Sequence, residues 1–347
     1  MSWEIIGQAR ALAVLRRAVE DEGRLSHAYL FVGPEHVGKA TVARRFAQAL
    51  NCVSEGERPC GECRSCRLIA EDKHPDVEWL RVGGLCDESE HKDHESSRDI
   101  RICQVRRLER VVSRTAFEAR YRVIVVDPAD ALTTEAANAF LKTLEEPPSQ
   151  VVLVLVTARE EALLETVRSR CRRVAFDGVP REAIASALRE RWGAEPAQAE
   201  RLARLSGGRL GWAVAALTDE KLLEEREEVV EDIESLLAGG YSERFAYAAE
   251  LAGRYSRNPD AVRATLELWR DWWRDVLLVA AGKHELVADP QRLDTLRSYA
   301  AQYGVQGALQ ALAAVSEGRE HLEERANPTL ALEAMLLELP AAAPTGA

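Results

Sequence analysis

The stretch that most restricts the fold is Gly33 to Thr41, GPEHVGKAT, set between the apolar run Ala28 to Val32 and the amphipathic run Val42 to Leu50. Read in order, this is a strand, a glycine-bearing loop and a helix, and Gly33, Gly38 and Lys39 stand at the G-x-x-x-x-G-K spacing of a phosphate-binding loop. Glycines let backbone N–H groups wrap a phosphate, the helix N-terminus adds positive potential, and the lysine reaches the outer phosphates. A chance glycine-rich turn before a helix is the plain alternative, and the flanks argue against it. One position departs from the pattern. Ala40 stands where Ser or Thr would place a hydroxyl on Mg²⁺, and the nearest hydroxyl, on Thr41, comes one residue late. The stretch therefore predicts a nucleotide-site scaffold with a part missing.

Further strands follow at intervals. Val77 to Val82, Tyr121 to Val126, Val151 to Val156 and Arg172 to Phe176 read as strands separated by helical patterns. Together with Ala28 to Val32 they predict an α/β core, a parallel sheet covered on both faces. Asp127 ends one strand, as in a Walker B element, where a carboxylate can hold Mg²⁺ directly or through water. The next residue is Pro128, which offers no carboxylate to orient a water. Thr157, at the end of another strand, stands where a polar side chain can sense a γ-phosphate. Upstream of the loop, Ile5 and Ile6 read equally as core or as the wall of an adenine pocket.

Between the loop helix and the second strand, Cys52, Cys60, Cys63 and Cys66 fall within fifteen residues as C-x(7)-C-x(2)-C-x(2)-C. Four thiolates at that spacing close a tetrahedron around one structural Zn²⁺, leaving no open coordination position; free thiols and a redox role are the alternatives. The N-terminus MSWEIIGQAR lacks the apolar core of a signal peptide, which predicts a cytoplasmic protein, and in that reducing compartment the seven cysteines are not a disulfide framework. No apolar run exceeds strand length, so no membrane span is expected.

The run DESEHKDHESSRD, 87–99, breaks all periodicity. Cys86, His91 and His94 invite a second metal site there, but so charge-dense a run reads better as a solvated loop. Ile100 to Val112 reads as a basic amphipathic helix carrying Arg101, Arg106, Arg107 and Arg110, either a solvated face or a phosphate or partner surface. From Gly178 the strand signals cease. The expected organisation is a core over 1–178 including the cysteine module (52–66), a small helical unit over 179–219, a helical domain over 220–340 and a disordered tail, 341–347. Trp269, Trp272, Trp273 and Val276 share one helical face, which a core stripe or subunit contact explains better than base stacking. A net charge of −11 argues against a surface that grips nucleic acid throughout, while leaving room for a local basic patch.

Taken in order, the phosphate loop, the four-cysteine insert, the strand ending at Asp127, the segment AANAFLKTLEEPP and Ser169-Arg170-Cys171 resemble the clamp-loader branch of the AAA+ ATPases. Within it they are most similar to the delta-prime family of bacterial DNA polymerase III, from IIGQ at 5–8 through SGGR at 206–209. The resemblance implies a RecA-like AAA+ core with a zinc knuckle, a helical lid and an all-α collar that packs against other loader subunits. It also implies roles: Arg170 as an arginine finger projecting into a neighbour's ATP site, and Arg209 as a lid arginine reading nucleotide in the chain's own site. A guanidinium suits the first role because it is always charged and binds phosphate oxygens in bidentate fashion. Without the motif, Arg170 beside Arg172 and Arg173 would read as a basic surface turn. The implied partners are the gamma/tau and delta subunits, with the sliding clamp and primer-template DNA met through the assembly. Ala40 and Pro128 remove parts that hydrolysis needs, so ATP or ADP binding stays open and Mg²⁺ doubtful. An ATP-hydrolysing chain of the gamma/tau kind, or an autonomous ATPase, is the alternative.

Overall fold

Alternation along the strands decides what each residue faces. In the computed structural model, which describes residues 3–86, 97–112, 117–324 and 326–340, five strands form one sheet: β1 (Ala28–Val32), β2 (Val77–Leu80), β3 (Arg122–Val126), β4 (Val151–Thr157) and β5 (Arg172–Ala175). The order across the sheet is β2-β3-β4-β1-β5 and every pairing is parallel. Tyr29, Phe31, Val123, Val125, Val152 and Val154 belong to one core layer, while Ala28, Leu30, Ile124, Val126, Leu153 and Leu155 belong to the other. A period of two thus splits the apolar runs of β1, β3 and β4 between two hydrophobic cores, which is why these three carry no polar face, whereas the edge strands β2 and β5 carry Glu78 and the exposed Arg172 and Arg173.

The helices of this region supply the covering. α1 (Ala9–Glu20) and α2 (Lys39–Asn51) bring Leu12, Leu15, Val42 and Phe46 to the first layer. α3 (Arg64–Ala70) follows the cysteine cluster, and its Ile69 joins the same layer. α4 (Ile102–Val112), α5 (Thr134–Glu145) and the single turn α6 (Glu165–Arg168) cover the second with Leu108, Phe140, Leu144 and Val167. α5 begins where the Thr133 hydroxyl accepts the Ala136 N–H at 3.2 Å, and Pro147 and Pro148 prevent its continuation. On α4, Arg107 pairs with Glu78 of β2.

The remaining helices are α7 (Arg181–Trp192), α8 (Pro196–Leu205), α9 (Leu210–Thr218), α10 (Lys221–Ala238), α11 (Tyr241–Arg257), α12 (Pro259–Ala280), α13 (Leu293–Glu323) and α14 (Pro328–Glu338). The chain divides into two compact units, residues 1–187 with 208–212, and residues 188–207 with 213–347. The core of the second is a helical one in which Trp269, Trp272, Trp273 and Val276 are all buried. Trp269 stacks on Tyr247 with ring centroids 5.8 Å apart, and Trp273 meets Tyr303 edge-on at 5.6 Å, so the tryptophan face is core. Asn258 and Asn327 cap α12 and α14, each followed by proline at the first helical position. At the other end of α14, buried Arg244 donates to the carbonyls of Leu336 and Leu339, satisfying acceptors that a helix end leaves open. The fold is thus the α/β parallel core followed by all-α architecture that the sequence predicts. The run 87–96, with His91 and His94, and the tail 341–347 lie outside the described residues. Among those described, no helix is long and apolar enough to cross a membrane.

Candidate functional site

In a parallel sheet the carboxyl ends of all strands lie along one edge, which is where open α/β sheets bind ligands. Gly33 follows β1, Asp127 follows β3 and Thr157 ends β4, so the structure brings these three to that edge. The loop between Gly33 and α2 needs its glycines. A Cβ on Gly33 would lie 2.2 Å from the Phe176 carbonyl oxygen, and Gly38, the N-cap of α2, has φ +99°, a conformation that L side chains rarely adopt. Ala40 is half-buried within the first turn and Thr41 is exposed to solvent. Consecutive helical residues point about 100° apart, so the Thr41 hydroxyl does not take the direction Ala40 lacks.

Lys39 is buried, and its ammonium donates to the carbonyls of Gly33 and Pro34, both at 2.6 Å. The lysine is folded onto its own loop. Burial lowers its pKa, against the raising influence of Glu35, Asp127 and Asp130. Burial raises that of Asp127, with Asp130 adding to it and Lys39 and Arg81 opposing. Asp130 is a participant that sequence reasoning missed. Pro128 offers no carboxylate, but one does stand near the lysine, three residues beyond Asp127. Both its oxygens are engaged: Oδ1 accepts the buried Thr157 hydroxyl at 2.7 Å and Oδ2 the Arg159 Nε–H at 2.9 Å. Thr157 therefore spends its hydroxyl proton within the chain.

The upstream segment is fixed by another missed residue, Gln8. Its side-chain amide donates to the Asp177 carbonyl at 2.6 Å and accepts the Asp177 N–H at 3.2 Å, with a further bond to the Val37 carbonyl at 3.3 Å. One side chain thus ties the N-terminal segment, the tip of the phosphate loop and the exit of β5. Ile5 packs on the first core layer and Ile6 is half-buried. Arg209 is half-buried, in a segment that reaches the same loop, for the Gly211 N–H donates to the His36 carbonyl at 2.7 Å.

Arg170 lies elsewhere. It precedes β5, and pairing of Tyr29 with Arg172 and of Val32 with Ala175 sets Arg170 beyond the amino end of the strands. From the level of Gly33 to that of Arg172 is four residues along the strand direction, or roughly 13 Å at 3.3 Å per residue, and Arg170 lies in the turn before Arg172. The guanidinium is about one-third exposed, pairs with Glu145 Oε1 at 2.6 Å and donates to the Thr166 carbonyl at 2.9 Å.

The four cysteines converge. The sulfurs of Cys52, Cys60, Cys63 and Cys66 all lie within 4.8 Å of one another, near the roughly 3.8 Å edge of a tetrahedron with 2.3 Å Zn–S bonds. The N–H groups of Cys60, Cys63 and Cys66 donate to Cys52, Cys60 and Cys63 sulfurs at 3.3–3.4 Å. Such donors favour thiolate, and those from Cys63 and Glu62 bring the Cys60 pKa down to about 7, while burial pushes Cys66 up. The donor set fits a structural Zn²⁺.

Comparison with known proteins accords with this arrangement. The family described as "DNA polymerase III, delta subunit" matches residues 7–180. The DNA polymerase III subunit delta' of Bacillus subtilis is 27% identical over 341 residues, covering 98% of each chain. That of Pseudomonas aeruginosa is 37% identical over 227 residues, 61% of this chain and 62% of that protein. The gamma/tau subunit of Mycobacterium tuberculosis H37Rv is 35% identical over 178 residues, 51% of this chain but only 28% of that protein. Reaching over half of this chain by the family match and end to end by the Bacillus relative, these similarities establish that the chain belongs to the delta' family of DNA polymerase III subunits.

Proposed function

We propose that the chain is a clamp-loader subunit that lends Arg170 in trans to the ATP site of a gamma/tau neighbour while its own site is degenerate. One observation carries this reading: Arg170 and the phosphate loop lie at opposite ends of one sheet, with about 13 Å of strand between their levels, farther than an arginine side chain extends. If Arg170 serves a triphosphate, that triphosphate belongs to another subunit. Its partial exposure is what such a role requires.

The degenerate-site half rests on Ala40, on Pro128 and on Lys39 and Asp130 each being engaged by other groups of the chain, Lys39 by the Gly33 and Pro34 carbonyls and Asp130 by Thr157 and Arg159. Gly33, Gly38 and Lys39 remain able to hold phosphates once Lys39 leaves its loop carbonyls, so ATP or ADP can bind without being cleaved; Mg²⁺ lacks its usual hydroxyl ligand. Ile5, Ile6, Thr41, Asp127, Thr157 and Arg209 complete the vestigial pocket. Cys52, Cys60, Cys63 and Cys66 hold Zn²⁺, whose contribution is to fix the turn before α3. Residues 179–219 serve as the lid and 220–340 as the collar. In the loader, with gamma/tau and delta, the chain helps open the sliding clamp and set it on primer-template DNA.

Reconstitution with gamma/tau and delta tests the reading. In complexes carrying Arg170→Ala, hydrolysis at the facing ATP site falls on the order of 10³-fold, the lower end of what arginine fingers contribute in GTPases, and clamp loading falls with it. Normal hydrolysis and loading by that complex refute the assignment.

A further inference from the structure

The cation assigned to a neighbour's phosphates is not idle in the isolated chain. Arg170 is held by Glu145, the last residue of α5, at 2.6 Å, and by the Thr166 carbonyl at 2.9 Å. A carboxylate is poorly placed at a helix C-terminus, where it meets open carbonyls and the negative end of the helix dipole. Glu145 therefore gains nothing from its own helix and is offset by the guanidinium. The two arginines that follow have separate partners: Arg172 donates to the Arg24 carbonyl at 3.0 Å and Arg173 pairs with Glu160 at 2.7 Å.

We propose that Glu145 is a positioning residue for Arg170, a placeholder anion that keeps the guanidinium docked on its own chain until a neighbouring subunit's triphosphate displaces it. The inference rests on the reading of Arg170 as an arginine acting in trans. The strengths involved suit an exchange. The pair is roughly one-third and one-half exposed, the setting in which ion pairs are weak, whereas a bidentate arginine–phosphate contact in a closed interface is strong. A placeholder of this kind opens only when a more highly charged anion arrives, so an ADP-bound or empty neighbour competes poorly for the cation. It also holds one rotamer of a side chain that would otherwise sample many.

The test compares wild type, Glu145→Gln, Arg170→Ala and the double variant, each assembled with gamma/tau and delta, across ATP concentrations. Gln keeps the size and an acceptor oxygen but removes the charge. The expected result is a two- to five-fold fall in the half-saturating ATP concentration for Glu145→Gln with no fall in kcat, roughly what a half-exposed ion pair contributes. In the Arg170→Ala background the Glu145 substitution has no effect. An unchanged half-saturation, or a reduced kcat, in Glu145→Gln overturns the placeholder while a defective Arg170→Ala complex leaves the in-trans reading standing. Normal hydrolysis by Arg170→Ala overturns both.

Discussion

Asp76, just ahead of β2, is fully buried and its carboxylate gathers the approach to β3: Oδ1 and Oδ2 accept the N–H groups of Phe117, Glu118 and Ala119 at 2.8–3.0 Å, and Oδ1 pairs with buried Arg122 at 2.7 Å. Burial alone would raise its pKa, but these donors outweigh it and hold the carboxyl at about 2, against an ordinary 3.8. That difference corresponds to about 2.5 kcal/mol of stability. Because the folded pKa is the depressed one, the contribution is complete above about pH 4 and is lost as pH falls through 2. Asp76→Asn removes it and also takes the counter-charge from buried Arg122, so the expected cost at pH 7 is about 3–5 kcal/mol. Hydrogen exchange at the β3 amides, referred to the intrinsic rate at each pH, measures the first unit without interference from the second. Wild type and variant should differ by that amount at pH 7 and converge by about 2 kcal/mol between pH 7 and pH 2, most of it below pH 4. A cost below about 1 kcal/mol, or a gap that does not narrow with acid, would refute the assignment of Asp76 and Arg122 as a mutually dependent pair.

Elemental analysis of the purified chain should find one Zn²⁺ per molecule; Cys63→Ser should abolish it and deprotect 52–70 to exchange while β3 stays protected. The chain alone should turn over ATP at the level of a blank, and turnover that survives Arg170→Ala but vanishes in Lys39→Ala would overturn the degenerate site. Phe140→Ala, at the centre of the layer under α5, should cost about 3–5 kcal/mol by urea unfolding of the first unit's exchange-protected core. Gly33→Ala should displace the phosphate loop, since its Cβ would fall 2.2 Å from the Phe176 carbonyl, and the chemical shifts of residues 33–39 report it.

What could be read from the sequence was what repeats or stands in a fixed spacing. The central strands β1, β3 and β4 are near-continuous apolar runs because both faces are covered, and all five strands lie within a residue or two of where the sequence placed them. The cysteine spacing foretold a cluster that the fold does close. The tryptophan stripe read as a core stripe or subunit contact, four apolar residues at helical spacing in an acidic chain, and the fold makes it core. Side chains that act through distant backbone were not legible. Nothing in the neighbourhood of Gln8 announces that its amide bonds to Asp177, 169 residues away. Asp130 is hidden by its place in a single 3-10 turn after β3, and its partners are Thr157, at the end of β4, and Arg159 in the loop beyond it. Glu145 reads as one acid among many until the fold sets Arg170 against it.

The ends of the sheet differ in their electrostatics, and this bears on why Arg170 stands where it does. Helices that follow parallel strands begin at the carboxyl edge, so their N-terminal positive ends gather where phosphates bind, while their C-terminal ends gather at the amino edge. A cation is favoured at that second edge, and Arg170 stands there beside the ends of α5 and α6. Its place ahead of β5 also sets it away from its own phosphate loop. On the proposed reading, an interface joining the amino edge of one subunit to the carboxyl edge of the next is heterologous, a head-to-tail contact between unlike surfaces. In an open row of such contacts one terminal member gives its arginine and has no need to receive one. A chain with Ala40 and Pro128 in its own site, and an intact arginine at the opposite edge, has the attributes that position demands.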